Sequence, residues 1–156
     1  FSSSGNEVEQ AIARHETMLR HKPDIWPVRA WQVSDRFKNE NDSRKGHLGI
    51  DIIAPKGSNV NAAADGRVIV AGNDELLGQL VAIDHENGWE TRYGHNDLIL
   101  VKYGDSVRKG QPIALYGGKN YSGTGAHLHF EMYYQGKAVN PLDHLPKLPL
   151  MKVTGK

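Results

Sequence analysis

Gln79-Leu-Val-Ala-Ile-Asp-His85, then Glu86-Asn-Gly88, then Trp89-Glu-Thr-Arg-Tyr93 reads as strand, turn, strand. Apolar and β-branched residues fill both runs, and Asn-Gly supplies the left-handed φ angles that a tight hairpin turn needs. The same grammar recurs on either side. Residues 60–64 are followed by Asp65-Gly66 and then by 67–71, a second hairpin signal. Residues 107–110 form a short glycine-bounded connection before a run at 112–116, and 127–134 is a further strand, closed by Asn140-Pro141. Seven or more short strands at this spacing predict a mostly β fold, an antiparallel sandwich or open barrel. One helix is expected in front of it. Val8, Ile12, Met18 and Leu19 recur at roughly helical spacing within 7–21, and no breaker intervenes until Pro23.

Composition bounds the rest. A chain of 156 residues and 17.3 kDa is large enough for one domain with its own core. The 19 basic and 18 acidic residues are interspersed and leave a net charge of +1, so no electrostatic case exists for nucleic acid. No run approaches transmembrane length, so this segment is expected to make no membrane contact, although a full-length protein could be anchored. Cysteine is absent, which removes disulfides, thiolate metal sites and a Cys nucleophile. The chain opens on Phe1 without a signal-peptide pattern, as a fragment or a processed form would. The expected organisation is a helical lead-in over 1–25, the end of a longer upstream region, then the main domain over 26–145 and an irregular tail over 146–156.

The chemistry gathers in Gly125-Ala-His127-Leu-His129-Phe-Glu131 and, far upstream, His47-Leu-Gly-Ile-Asp51. Zinc sites that do chemistry take three protein ligands, commonly His and carboxylate, and keep a fourth position open. The H-E-x-x-H frame of one metalloprotease class is missing: His15-Glu16 and His85-Glu86 begin it, but Leu19 and Trp89 stand where the second His belongs. On a strand, His127, His129 and Glu131 share a face, with the two imidazoles about 7 Å apart, so that one can hold a metal while the other reaches a substrate. His47 and Asp51 would lie about 13 Å apart on a straight strand. Gly46 and Gly49 allow the chain to bend between them.

Taken in order, His-x-Gly-x-Asp with Ile-Ile-Ala-Pro-x-Gly, Ala-Ala-Asp-Gly-x-Val, Tyr93-Gly-His95, Gly-Asp-x-Val-x-x-Gly-Gln and Gly-x-His-Leu-His-Phe-Glu resemble the lysostaphin/LytM-type zinc metallopeptidases, bacterial peptidoglycan hydrolases. The resemblance runs from about 26 to 145. It implies an antiparallel β core with a zinc cleft walled by loops, and one Zn2+ per chain held by His47, Asp51 and His129. It makes His95 and His127 the catalytic imidazoles, one as general base and the other as oxyanion donor, without saying which is which. The implied partners are peptidoglycan stem or bridge peptides, and the implied location is the cell envelope. Before His47 the chain departs from the family pattern: Ser34-Asp-Arg-Phe37 keeps the Phe, but Lys38 replaces the expected Gly.

The neighbouring residues take lesser roles. Asn120 and Tyr121, in a loop rich in Gly, Ser and Thr, are candidates for substrate contact, and Glu131 for a partner behind the metal ligand. His15 and His21 are expected on the helix surface, and His144 and the three Trp (26, 31 and 89) in structural positions; His85 stands beside the hairpin turn. Two other functions compete. Members of the family exist that have lost ligands and regulate other wall enzymes, but all five positions are intact here. A lipoyl- or biotinyl-type carrier also uses Gly-Asp-x-Val-x-x-Gly-Gln, but Met151-Lys152-Val153 lies in the tail rather than on a hairpin, and such a carrier leaves the histidines unexplained.

Overall fold

The computed structural model describes residues 3–38, 47–117, 127–147 and 152–153. They form one α-helix, α1 (Ser3–His21), and eleven strands: β1 (Gln32–Asp35), β2 (Ile50–Ile53), β3 (Asn59–Asn61), β4 (Gly66–Asp74), β5 (Gly78–Asp84), β6 (Trp89–Ile99), β7 (Ser106–Val107), β8 (Pro112–Tyr116), β9 (Leu128–Tyr134), β10 (Lys137–Val139) and β11 (Lys152–Val153). A short 3-10 turn, Pro141–Asp143, is capped by the side chain of Asn140, which accepts the Leu142 N–H. Among the described residues, no helix is long and apolar enough to cross a membrane.

The strands join in the order β11-β1-β2-β9-β6-β5-β4-β7, and the path does not close on itself. All pairs are antiparallel apart from β1 with β11. The β5–β6 hairpin forms as its sequence predicts, with Glu86, Asn87 and Gly88 all at positive φ. Its centre packs into the core, where Ile83, Tyr93, Phe130, Met132, Ile50 and Ile52 are wholly or almost wholly buried and the rings of Tyr93 and Phe130 meet at 5.3 Å.

One expectation fails. Residues 60–71 are not a hairpin: β3 pairs with β8, some fifty residues later, while β4 pairs with β5 and β7. The tight hairpin turn needs left-handed φ, and neither Asp65 nor Gly66 adopts it. Asp65 instead ties elements together, its N–H bonding the Arg20 carbonyl at 2.8 Å and its carboxylate accepting the Lys109 N–H at 2.7 Å. Within the tail, the described pair Lys152–Val153 runs alongside β1.

Among the described residues, α1 is fastened at its C-terminal end. Residues 6–20 are exposed, and Lys109 Nζ bonds both the Leu19 carbonyl and Asp24 Oδ1 at 2.7 Å. A cation there adds a second donor to the Leu19 carbonyl, which also accepts the Lys22 N–H at 3.4 Å, and suits the helix dipole. Of the tryptophans, Trp26 and Trp89 pack against the core, and Trp31 is exposed.

Candidate metal centre

The register of β2, β9 and β6 assembles the site. Asp51 on β2 stands directly opposite His129 on β9, and Gly94 on β6 lies opposite His129 from the other side. Side-chain alternation puts Leu128, Phe130 and Met132 into the core and turns His129, Glu131 and Tyr133 to the other face. His47 is brought in by an isolated antiparallel bridge to Lys38. The intervening Gly49 does not serve by left-handed backbone, because its φ is not positive. It serves by having no side chain: a Cβ there would run into the Phe130 carbonyl and lie 2.9 Å from Glu131 Cγ. The loop therefore crosses β9 closely enough to bring His47 back over Asp51.

His47 Nε2 lies 3.4 Å from Asp51 Oδ1, and His129 Nδ1 lies 2.9 Å from the same oxygen. One ligand atom from each of the three falls within 4.8 Å of the others. Metal–ligand distances near 2.0–2.1 Å in a tetrahedral zinc site put neighbouring ligand atoms about 3.3 Å apart, so this donor set fits such an ion. The outward nitrogens are also occupied. His47 Nδ1 donates to the Arg36 carbonyl at 2.9 Å, and His129 Nε2 meets Glu131 Oε2 at 2.8 Å. A carbonyl can only accept, which fixes the His47 tautomer and leaves Nε2 facing Asp51. Metal-binding histidines are oriented in this way by the partner of the second nitrogen.

The electrostatics favour positive charge between these groups. Burial opposes ionisation of Asp51, but hydrogen bonds with His129 and His47 outweigh it and hold the carboxyl well below its usual range. Burial likewise opposes charge on His129, but Asp51 and Glu131 on its two nitrogens raise its pKa to about 9. Burial raises and the bonds from His129 and Tyr133 lower the Glu131 pKa, with a net fall. An imidazole between two carboxylates calls for a cation, whether a proton or a metal ion.

Two more imidazoles stand beside this cluster. His95 and His127 meet edge to face at 5.1 Å, His95 is 6.1 Å from the His129 ring, and His127 Nε2 is 3.8 Å from Asp51 Oδ2. His127 lies just before β9 rather than on it. His95 marks the bend of β6, which pairs with β9 up to Gly94 and with β8 from Asn96. It adopts φ 63°, uncommon for a non-glycine residue, and its N–H bonds the Leu77 carbonyl at 2.6 Å. Buried Asn96 secures the bend, its amide nitrogen donating to the carbonyls of Gln79 and Tyr93, both at 2.8 Å. Burial, followed by the nearby His127 and His129, lowers the His95 pKa.

His47, Asp51, His95, His127, His129 and Glu131 thus converge. Asn120 and Tyr121 lie outside the described residues. His15 is exposed and His21 partly buried. His85 is buried far from the cluster in sheet register, and His144 packs its ring edge-on to Trp89 at 5.0 Å. Sequence reading missed Asn96, the Arg36 carbonyl and Tyr133. Tyr133 was open to discovery, because it continues the alternation His129, Glu131, Tyr133; a backbone carbonyl leaves no trace in residue identity. A cavity of about 620 Å³ elsewhere, lined by Arg20, Asp65, Arg67 and Lys109 among others, contains none of the converging residues.

The sequence model of peptidase family M23 matches residues 45–141. The chain is 45% identical over 123 residues to the murein hydrolase activator NlpD of Escherichia coli K12, covering 78% of this chain and 31% of that protein. It is 33% identical over 155 residues to the peptidoglycan DD-endopeptidase ShyB of Vibrio cholerae, covering 97% and 34%. A zinc-containing peptidase from Vibrio cholerae superimposes with a TM-score of 0.67 at 35% identity, over 80% of this chain and 40% of that one. The chain spans about a third of the length of these curated relatives. The family match falls on the strands and loops that carry the converging histidines, and the chain belongs to peptidase family M23, the group of lysostaphin and LytM-type peptidases.

Proposed function

We propose that this domain is a zinc-dependent endopeptidase that hydrolyses peptide cross-links of bacterial peptidoglycan in the cell envelope. One observation carries the reading: a three-ligand donor set with both outer nitrogens anchored, and two further imidazoles 5.1 Å apart beside it. His47, Asp51 and His129 would hold the ion. When bound, zinc lowers the pKa of its water toward ~7 and polarises a carbonyl. His95 and His127 do the rest. One accepts the proton of the attacking water and passes it to the leaving amine; the other donates a hydrogen bond to the carbonyl oxygen as negative charge grows there. The bend at His95 and the rigid amide of Asn96 hold that imidazole in place beforehand, which is where positioning gains rate. Similarity to ShyB along nearly the whole chain favours the direct cross-links between stem peptides, D-Ala to meso-diaminopimelate, over glycine bridges.

A second reading, activation of other wall hydrolases, is supported by the 45% identity to NlpD. The two differ in whether the site must turn over. His129→Ala is expected to lose both bound zinc and hydrolysis, and His127→Ala to lose hydrolysis while keeping zinc; metal analysis beside a digestion assay reads both. Zinc retained by His129→Ala and lost by His127→Ala would reverse the roles. Hydrolysis unaffected by either change would remove these histidines from the reaction, and no hydrolysis by the zinc-loaded wild type would remove the enzyme reading.

A further inference from the structure

The face of β9 that carries His129 continues through Glu131 to Tyr133, to which the proposed chemistry assigns no role. Glu131 is 7% exposed, so water does not satisfy its carboxylate. Each oxygen instead has its own partner: Oε2 meets His129 Nε2 at 2.8 Å, and Oε1 accepts the Tyr133 hydroxyl at 2.7 Å. Tyr133 is fixed in turn. The Arg92 guanidinium lies 5.4 Å from the centre of its ring, and Arg92 Nε bonds Glu90 Oε2 at 2.6 Å. The four residues form two cross-strand pairs, Arg92 opposite Glu131 and Glu90 opposite Tyr133. The chain of contacts therefore begins in the ion pair on β6 and ends on the outer nitrogen of a metal-ligand candidate.

We propose that Tyr133, held by Arg92, is a positioning residue that acts through Glu131 to fix the His129 ring for metal binding. The proposal rests on the reading of His47, Asp51 and His129 as a metal site. A carboxylate bonded on one side alone can rotate about its last torsion, which is broad and roughly two-fold. The Tyr133 hydroxyl blocks that rotation, so Oε2 stays on His129 Nε2 and Nδ1 stays toward Asp51. Outer partners of this kind are worth 10–100-fold in metal affinity. Tyr133 stands one bond further out, which sets its expected effect at the low end.

The test is a double-mutant cycle in zinc affinity, measured by competition with a chromophoric chelator on the whole chain. Glu131→Gln is expected to weaken zinc binding by about 10–100-fold and Tyr133→Phe by about tenfold. In the Glu131→Gln background the added Tyr133→Phe should cost less than twofold, since its route is already cut. Tyr134→Phe, next in sequence on the opposite face, should leave affinity unchanged. The visible spectrum of the Co2+-loaded protein should shift for Tyr133→Phe and not for Tyr134→Phe, a response that simple loss of stability would not give. Tyr133→Phe within twofold of wild type, or full additivity with Glu131→Gln, would overturn the relay while leaving the metal site standing. Wild-type protein that binds no zinc would overturn both.

Discussion

Acidification should destabilise this protein through His85, a residue outside the candidate site. His85 is fully buried at the end of a hydrogen-bonded chain. Its Nδ1 bonds the Asp65 carbonyl at 2.8 Å and must donate, so the neutral ring accepts at Nε2 from Thr91 Oγ1 at 2.6 Å. Thr91 then accepts from the Tyr93 hydroxyl at 2.6 Å, and the Tyr93 oxygen accepts the Ala63 N–H at 2.9 Å. Protonation makes both ring nitrogens donors, so Thr91 Oγ1 can no longer donate to the ring and one of the two hydroxyl protons, of Thr91 or of Tyr93, loses its acceptor. Burial is the larger cause, and the pKa falls from 6.5 to about 4. The folded value lies below the unfolded one, so the unfolded chain takes up the proton first. Stability is complete above pH 6.5 and is lost as pH falls toward 4, by about 3 kcal/mol at 1.36 kcal/mol per pH unit. Denaturant unfolding at a series of pH values between 7.5 and 4, with chelator present, would measure it. Other groups titrate in the same interval, so the signal is the difference in slope between wild type and His85→Gln. Parallel curves for the two proteins would refute the reasoning.

Other perturbations address the geometry of the site. Gly49→Ala places a methyl group on the Phe130 carbonyl and should cost about 1–3 kcal/mol together with metal affinity, read by thermal unfolding and zinc titration; a change under about 0.5 kcal/mol would contradict the close-approach account. Asn96→Ala removes the donor to two carbonyls at the β6 bend and should cost about 2 kcal/mol. If Asn96 serves to hold His95, zinc affinity should survive in that variant while kcat falls, and an unchanged kcat would separate the bend from catalysis.

What could be read in the sequence was local. The β5–β6 hairpin follows from two apolar, β-branched runs around Glu86-Asn87-Gly88, where Asn87 and Gly88 take the positive φ of the turn more easily than other residues would. Asp65-Gly66 carried the same outward sign without the same backbone, because the partner of β3 is β8, and no neighbouring residue encodes a pairing across some fifty positions. The histidine and aspartate motifs were legible as chemistry, and period-two alternation already grouped His129 with Glu131. The convergence of His47 on Asp51 was carried by the family resemblance and not by local pattern, since it depends on Gly49 passing over the β9 backbone, a contact between distant segments. The same holds for His95, whose left-handed φ belongs to the switch of β6 from β9 to β8 rather than to any local turn. Asn120 and Tyr121 lie outside the described residues.

The central claim is that the converged residues cut peptidoglycan cross-links. Mass spectrometry of the material released from purified walls, both directly cross-linked and glycine-bridged, with and without a chelator, tests it most directly. The account predicts products from the directly cross-linked wall whose masses correspond to cleavage between D-Ala and meso-diaminopimelate, and their disappearance when the metal is removed. Release of no product from either wall by zinc-loaded protein, with stimulation of a separate wall hydrolase by the same protein, would contradict it and establish the activator reading.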